Sequence, residues 1–397
     1  MNSPFPIPDL AASLSRRPQD SEMVLTRARL VLPDAVLHGT VVVRDGRIAE
    51  VQPGVSAVPG ALDLDGDTLI PGIVDLHTDN LERQVLPRSV ARWPSRSALV
   101  AHDAQCAAAG ITTVLDALCV GDTGFDQDRV RTFQEGVADL DALAGTGLLK
   151  AQHFLHLRCE LPAADLMALF EPVADHPALR LVSLMDHCPG VGQYFDLERY
   201  RALRRRDGQS EPYIERRIGE LQAQRARMRD PNRRALLARL AGRDVVLASH
   251  DDRTEEEIAE NAADGIAISE FPVTLTAAMA AKRRTMAVIA GAPNLVRGGS
   301  HSGNVAAAEL LREQAVDALA SDYVPASLVE AAFQGAEAGT ITLPDAIGLV
   351  TRRPAELAGL SDRGRIAAGA RADLVRVRPL RGLPVIRAVW REGMRVA

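Results

Sequence analysis

Between residues 69 and 323 the chain alternates short apolar runs with segments of helical period, a pattern that implies parallel strands joined by helices. The apolar runs fall at 69–79, 111–118, 152–160, 179–187, 245–251, 266–273, 286–292 and 316–323. That is the number of strands a closed (β/α)8 TIM-like barrel needs. Helical spacing reads well between them, for example over 96–109 and 127–144. The flanks follow a different rule: residues 23–68 alternate with a period of two around an Asp45-Gly46 turn, and the C-terminal stretch repeats this around Glu392-Gly393. Neither half is large enough for a stable sheet alone. The economical arrangement is one small β-domain built from 23–68 plus 363–397, with a barrel over 69–362 between its halves and an N-terminal extension at 1–22. One connection is far longer than an ordinary βα loop. Over 192–242 an arginine-rich segment carries Ile, Leu and Met at spacings that predict two or three amphipathic helices. These are either a solvated excursion or subunit contact, or a lid that brings arginines to a polyanionic substrate.

Composition narrows the function. A chain of 397 residues that is 47% apolar can bury a large α/β core. A net charge of −6 argues against a general nucleic-acid or membrane-surface binder, so an anionic small molecule must be held by local cations. The four cysteines show no CxxC spacing, which signals neither a disulfide framework nor a structural zinc site and suits a reducing cytoplasm. No apolar run approaches the ~18 residues of a membrane span, and the N-terminus lacks a secretory pattern. The expectation is a cytoplasmic enzyme with no membrane or nucleic-acid partner; a homo-oligomer is left open.

The chemistry gathers where the strands end. LIPGIVDLHTDNLE, residues 69–82, runs from a buried strand into His77 and Asp79, which share a face on an extended backbone. Later strands end in Asp116, in Arg158 and Glu160, in Asp186 and His187, in His250, Asp251 and Asp252, in Glu270 and in Asp322. Barrel active sites lie at these C-terminal strand ends. So many carboxylates at one mouth would repel one another unless cations sat among them. Imidazole and carboxylate suit zinc, manganese or iron, and two such ions would polarise a phosphoryl or carbonyl oxygen and activate a water. The working division gives one ion to His77, Asp79 and Asp322. The other takes His187 and His250, with Glu160 bridging or on this ion and Glu270 in reserve. The only lysines, Lys150 and Lys282, fall before a strand and in a helix, so a carboxylate rather than a modified lysine is the expected bridge. His38, His102 and His153 read as structural; His156 is either a support for the ligands or a core residue.

GAPNLVRGGSHSGN, residues 291–304, follows the seventh strand. Its glycines let backbone amides approach a ligand, and Arg297 could clasp a phosphate with Gly298, Gly299, Ser300, His301 and Ser302. His301 could also protonate a leaving group. The loop lacks the GK[ST] ending of a P-loop, and its alternative is a plain surface turn.

PGIVDLH, GITTVLDA, the eighth-strand Asp322 and the closing G-x-I-x-x-G-x-x-ADLV resemble the amidohydrolase superfamily. Within it, LHTDNLE, WPSRSALVAHDA, LHLRCELP, LVSLMDHCPG, LASHDD, GAPNLVRGGSHSGN and SDYVPASL resemble the PhnM family of α-D-ribose 1-methylphosphonate 5-triphosphate diphosphatases, so the likeness spans nearly the whole chain. The wider superfamily's His-x-His on the first strand is His77-Thr78-Asp79 here, the form this family itself shows. The resemblance implies hydrolysis of a ribosyl 5-triphosphate to the 5-phosphate with release of pyrophosphate, in the carbon–phosphorus lyase pathway of phosphonate use. Asp322 would be the general base, and Arg158 and Arg297 would hold phosphate oxygens. The rival readings are an amidohydrolase acting on a cyclic amide or deaminating substrate, and a barrel that has lost its chemistry and serves as a scaffold.

Overall fold

The computed structural model describes residues 22–88, 91–123, 127–300 and 303–397. The expected N-terminal extension, save Glu22, lies outside them, as do His301 and Ser302. Barrel strands β6 (Ile73–Thr78), β7 (Ile111–Val120), β8 (Gln152–Glu160), β9 (Leu179–Met185), β10 (Val246–His250), β11 (Ile268–Glu270), β12 (Ala287–Gly291) and β13 (Ala318–Ala320) form one parallel sheet in sequence order. The sheet closes where Asp322 N–H donates to His77 O at 3.0 Å and Asp79 N–H donates to Asp322 O at 2.6 Å. The closure is therefore made by the residues that carry the candidate ligands.

Both faces of a parallel barrel are covered, which is why its strands read as unbroken apolar runs. Val74, Leu115, Leu181, Ile268 and Ile289 fill the interior. Leu99, Phe133, Leu157, Phe170 and Val288 pack between the barrel and its helices. Those helices include α1 (Ser95–Ala108) and α2 (Gln127–Leu143), close to the spans the sequence predicts. Each such side chain contributes on the order of 1.5–3 kcal/mol by leaving water.

The second sheet comes from both chain ends. β1 (Glu22–Val31), β2 (Val36–Arg44), β3 (Arg47–Pro53), β4 (Leu62–Asp63) and β5 (Thr68–Pro71) supply one part. β14 (Leu374–Leu380), β15 (Leu383–Arg391) and β16 (Met394–Arg395) supply the other. The two parts join by antiparallel pairing of β5 with β14. The expected single strand at 69–79 is thus two strands in two sheets, divided at Gly72. There the backbone N–H donates to Asp373 O at 2.7 Å, and a Cβ would overlap the Thr112 hydroxyl and lie 2.7 Å from Asp373 Cβ. Apolar character continues through the break because both strands are buried, so periodicity could not reveal it.

The long connection after β9 folds as a 3-10 turn at Gly192–Tyr194 and two helices, α3 (Leu197–Arg206) and α4 (Glu211–Leu240). α4 continues through Pro231 because the next residues hold it to the barrel. Asn232 donates to the carbonyls of Leu161 and Ala163 at 2.8 and 2.7 Å, and Arg233 donates to Asp264 at 2.8 Å. Arg225 reaches Asp186 at 2.6 Å. The long helix is therefore docked along its length, not a free excursion. Among the described residues no helix is long and apolar enough to cross a membrane.

Gly72→Ala should cost about 2 kcal/mol by forcing the sheet junction apart; equilibrium urea unfolding would show it as a lowered midpoint, and an unchanged midpoint would show that the junction yields freely.

Candidate active site

The mouth of the barrel encloses a cavity of ≈ 380 Å³ whose wall includes His77, Asp79, Glu160, His187, His250, Asp251 and Asp322. Asp251 and Asp322 take left-handed backbone conformations, φ 58° and 55°, directly after their strands. That conformation is costly for a residue with a side chain and is concentrated at functional sites. Here it ends the strand and turns the carboxylate towards the cavity.

Two groups of donor atoms face this space. His77, Asp79 and Asp322 offer one set, and His187, His250 and Asp251 the other, the atoms of each lying within 4.8 Å of one another. Behind them is a layer of carboxylates. Glu270 lies within 2.8 Å of Nδ1 of both His77 and His250, and accepts from Ser183 Oγ at 2.9 Å. Glu160 accepts from the backbone N–H and the Nδ1 of His187, both at 2.8 Å. With Nδ1 fixed from behind, Nε2 of each ring is the atom turned to the cavity, the arrangement in which a carboxylate orients a metal-ligating histidine.

The donor set fits divalent ions on this structure's own terms. His187 Nε2 and Asp251 Oδ2 are buried without a hydrogen-bond partner, and an unsatisfied buried polar atom costs about 1–3 kcal/mol unless something engages it. Burial disfavours charge on His77, yet Glu270 and Asp79 hold its pKa up at about 10. Burial raises Asp322 to about 6, helped by the negative charge of Asp79. Asp79 itself is held below the usual carboxylate range: burial opposes this, but the guanidinium of Arg158, 2.5 Å away, outweighs it. The mouth favours positive charge in more places than its protons fill.

Several expected residues sit elsewhere. Glu270 is fully buried, outside the cavity wall, and its oxygens are engaged by two rings and a serine. In this structure the expected reserve ligand stands behind the rings of His77 and His250, and with His77 and His156 it forms a further buried group of donor atoms. Glu160 lines the cavity, but both its oxygens are taken by His187 in this structure, and Asp251 occupies the place it was expected to fill. Asp186 ties down α4 through Arg225, and Asp252 accepts from Ser249, Ser269 and Asn261 at 2.5, 2.5 and 2.7 Å. Asp116 points out of the barrel towards α1, between His102 at 2.7 Å and His153 at 2.8 Å, while its neighbour Cys119 faces in. His102 and His153, both buried, meet Asp116 away from the cavity wall. Of the glycine-rich loop, Gly291, Pro293, Asn294, Ser300 and Asn304 line the cavity; Arg297, Gly298 and Gly299 do not. Arg297 is exposed and donates to the Tyr323 hydroxyl at 3.4 Å. The arginines on the cavity wall, among the described residues, are Arg129, Arg158 and Arg204; no local signal distinguishes Arg129 or Arg204 among 44 arginines. The lysines stay away from the mouth, Lys282 paired with Asp317 at 2.5 Å and Lys150 donating to Val396 O at 2.6 Å.

Comparison with known proteins agrees with this architecture. Residues 212–396 match the amidohydrolase family. Molinate hydrolase superposes with a TM-score of 0.66 at 13% identity, over 95% of each chain. N-acetyl-D-glucosamine-6-phosphate deacetylase from Mycobacterium smegmatis superposes with a TM-score of 0.62 at 18% identity, over 94% of this chain and 100% of that one. These likenesses are of fold. Alpha-D-ribose 1-methylphosphonate 5-triphosphate diphosphatase of Escherichia coli (strain K12) is 42% identical over 381 residues, 94% of this chain and 100% of the relative. The chain belongs to that diphosphatase family.

Two outcomes follow from these contacts. Glu270→Gln should weaken divalent-metal binding about 10- to 100-fold by releasing two rings, read by equilibrium dialysis with metal analysis; unchanged affinity would show that the rings are held by other contacts. Outside the mouth, burial opposes charge on His153, but Asp116 and Asp103 on its two ring nitrogens raise its pKa to about 9. A raised folded pKa gives stability that is complete below the ordinary histidine value and lost as pH rises through about 9. Thermal stability should fall between neutral pH and pH about 9.5, and His153→Gln should flatten that slope; an equal slope in the variant would assign it to other groups.

Proposed function

We propose that this protein hydrolyses α-D-ribose 1-methylphosphonate 5-triphosphate to the 5-phosphate and pyrophosphate, in the carbon–phosphorus lyase route of phosphonate catabolism. The family relationship over nearly the full chain supports this reading, and the observation that carries it is a cavity combining two donor clusters with arginines on its wall. An amide substrate would have little use for those guanidiniums. A scaffold would not need buried carboxylates aligned behind three histidines.

His77, Asp79 and Asp322 would hold one divalent ion, and His187, His250 and Asp251 a second, from among zinc, manganese and iron. Such ions, when bound, polarise a phosphoryl oxygen and make a water more acidic. The chain's own residues do the rest. Asp322, with its carboxyl in the cavity, takes a proton from the attacking water. The water oxygen forms a bond to the α-phosphorus in line, the bond to the bridging oxygen breaks, and pyrophosphate leaves with its electron pair. Arg158, anchored on Asp79, presents fixed positive charge to the non-bridging oxygens as negative charge builds. The buried ring of His156, whose pKa burial lowers to about 3 while Glu270 only partly opposes it, stays neutral and packs edge-on to His77 at 5.0 Å.

Asp322→Asn should lower pyrophosphate release by on the order of a thousandfold while leaving the circular dichroism spectrum unchanged. Turnover near that of the native chain would remove Asp322 as the base. The native enzyme should release pyrophosphate from this triphosphate faster than from ATP and leave cyclic amides intact; hydrolysis of an amide alone would overturn the substrate class.

A further inference from the structure

We infer that the insertion is the pyrophosphate subsite, with Arg204 of α3 binding the leaving group; this rests on the function proposed above. In the eight-stranded barrel β13 and β9 are four strands apart, so Asp322 and the insertion that follows β9 stand on opposite sides of the mouth. Displacement at phosphorus is in line, and the leaving oxygen departs opposite the attacking one. A water deprotonated by Asp322 approaches from the β13 side, so the pyrophosphate is expelled towards the β9 side.

What stands there is built to receive it. The insertion contributes Gln193, Tyr194 and Arg204 to the cavity wall. The Tyr194 ring lies 6.1 Å from the ring of His187, which places the insertion beside the second donor cluster. Tyr194 packs edge-on to Tyr200 at 5.5 Å, and the Arg204 guanidinium sits over the Tyr200 ring at 5.0 Å. Stacking of this kind fixes a flexible side chain before the ligand arrives, so less ordering entropy is lost on binding. At the start of α3, the Arg199 guanidinium lies so close to Gly303 that a Cβ there would collide with it. Gly303, at φ 74°, suits a glycine for a second reason. This contact carries α3 across to the loop after β12, so the helix roofs the mouth. The other two arginines of the wall come from other elements: Arg158 lies in β8 and pairs with Asp79, and Arg129 lies in α2 beside Glu82 at 3.3 Å. Arg204, which also pairs with Asp207 at 3.2 Å, is the wall arginine that the insertion itself supplies, and a guanidinium matches the dense negative charge of outgoing β- and γ-phosphates well.

Product inhibition separates the two ends of the substrate. With metal in fixed excess, Arg204→Gln should weaken inhibition by pyrophosphate about tenfold to a hundredfold, leave inhibition by ribose 1-methylphosphonate 5-phosphate unchanged, and be partly restored in Arg204→Lys. Equal weakening towards both products would make Arg204 a structural residue, and weakening towards the ribosyl product alone would assign it to the other end; either overturns the inference while the reaction stands. Absence of pyrophosphate release by the native enzyme would instead overturn the reaction and this inference with it.

Discussion

The arrangement of the mouth depends on one carboxylate that never reaches it. Glu270 is fully buried and bridges Nδ1 of His77, on the first barrel strand, to Nδ1 of His250, four strands away. A buried carboxylate without partners would cost several kcal/mol, so its three donors are a condition of the fold as much as an aid to the site. Because the same contact fixes two rings, neither histidine can turn without leaving charge unpaired in the core. Against the effect of burial, Glu270 and Asp79 hold the His77 pKa up for the same reason, and a cation bound there would meet the same demand for positive charge.

Charge is local here. The molecule carries net negative charge, yet the wall of its cavity mixes acidic donors with guanidiniums. That mixture would suit a polyanion presented to cations, with the carboxylates holding the ions and the arginines completing the neutralisation where the ligand extends beyond them. A purely basic cavity would bind the anion without offering a carboxylate to accept a proton from water.

The barrel was legible because parallel strands covered on both faces leave continuous apolar runs, and the site because its ligands follow those runs directly. His77, Asp79, His187, His250 and Asp322 all reach the cavity. Facing was harder to read. Asp116 and Asp186 also follow or lie in apolar runs, but strand parity and tertiary partners turn them towards α1 and α4. Asp251 was recognised as a strand-end carboxylate without a role, because its left-handed backbone is not encoded in periodicity. Glu160 and Glu270 have the same side-chain chemistry as ligands and differ from them only in which atoms their neighbours claim. The break at Gly72 was hidden by burial on both sides of it, and the outward placement of Arg297 by a loop whose composition fits a binding turn equally well.

The joining of distant segments also sets an order of assembly. β5 pairs with β14, roughly three hundred residues further on, and the first barrel strand is locked by backbone bonds to Asp322. Contacts this remote must wait for most of the chain to be available, and they slow folding because a long loop is closed before they reward it. During synthesis the first pair of ligands emerges early, while the residues that complete their cluster arrive only near the end. A nascent chain thus holds fragments of the centre but no centre. Its chemistry begins only when the barrel shuts.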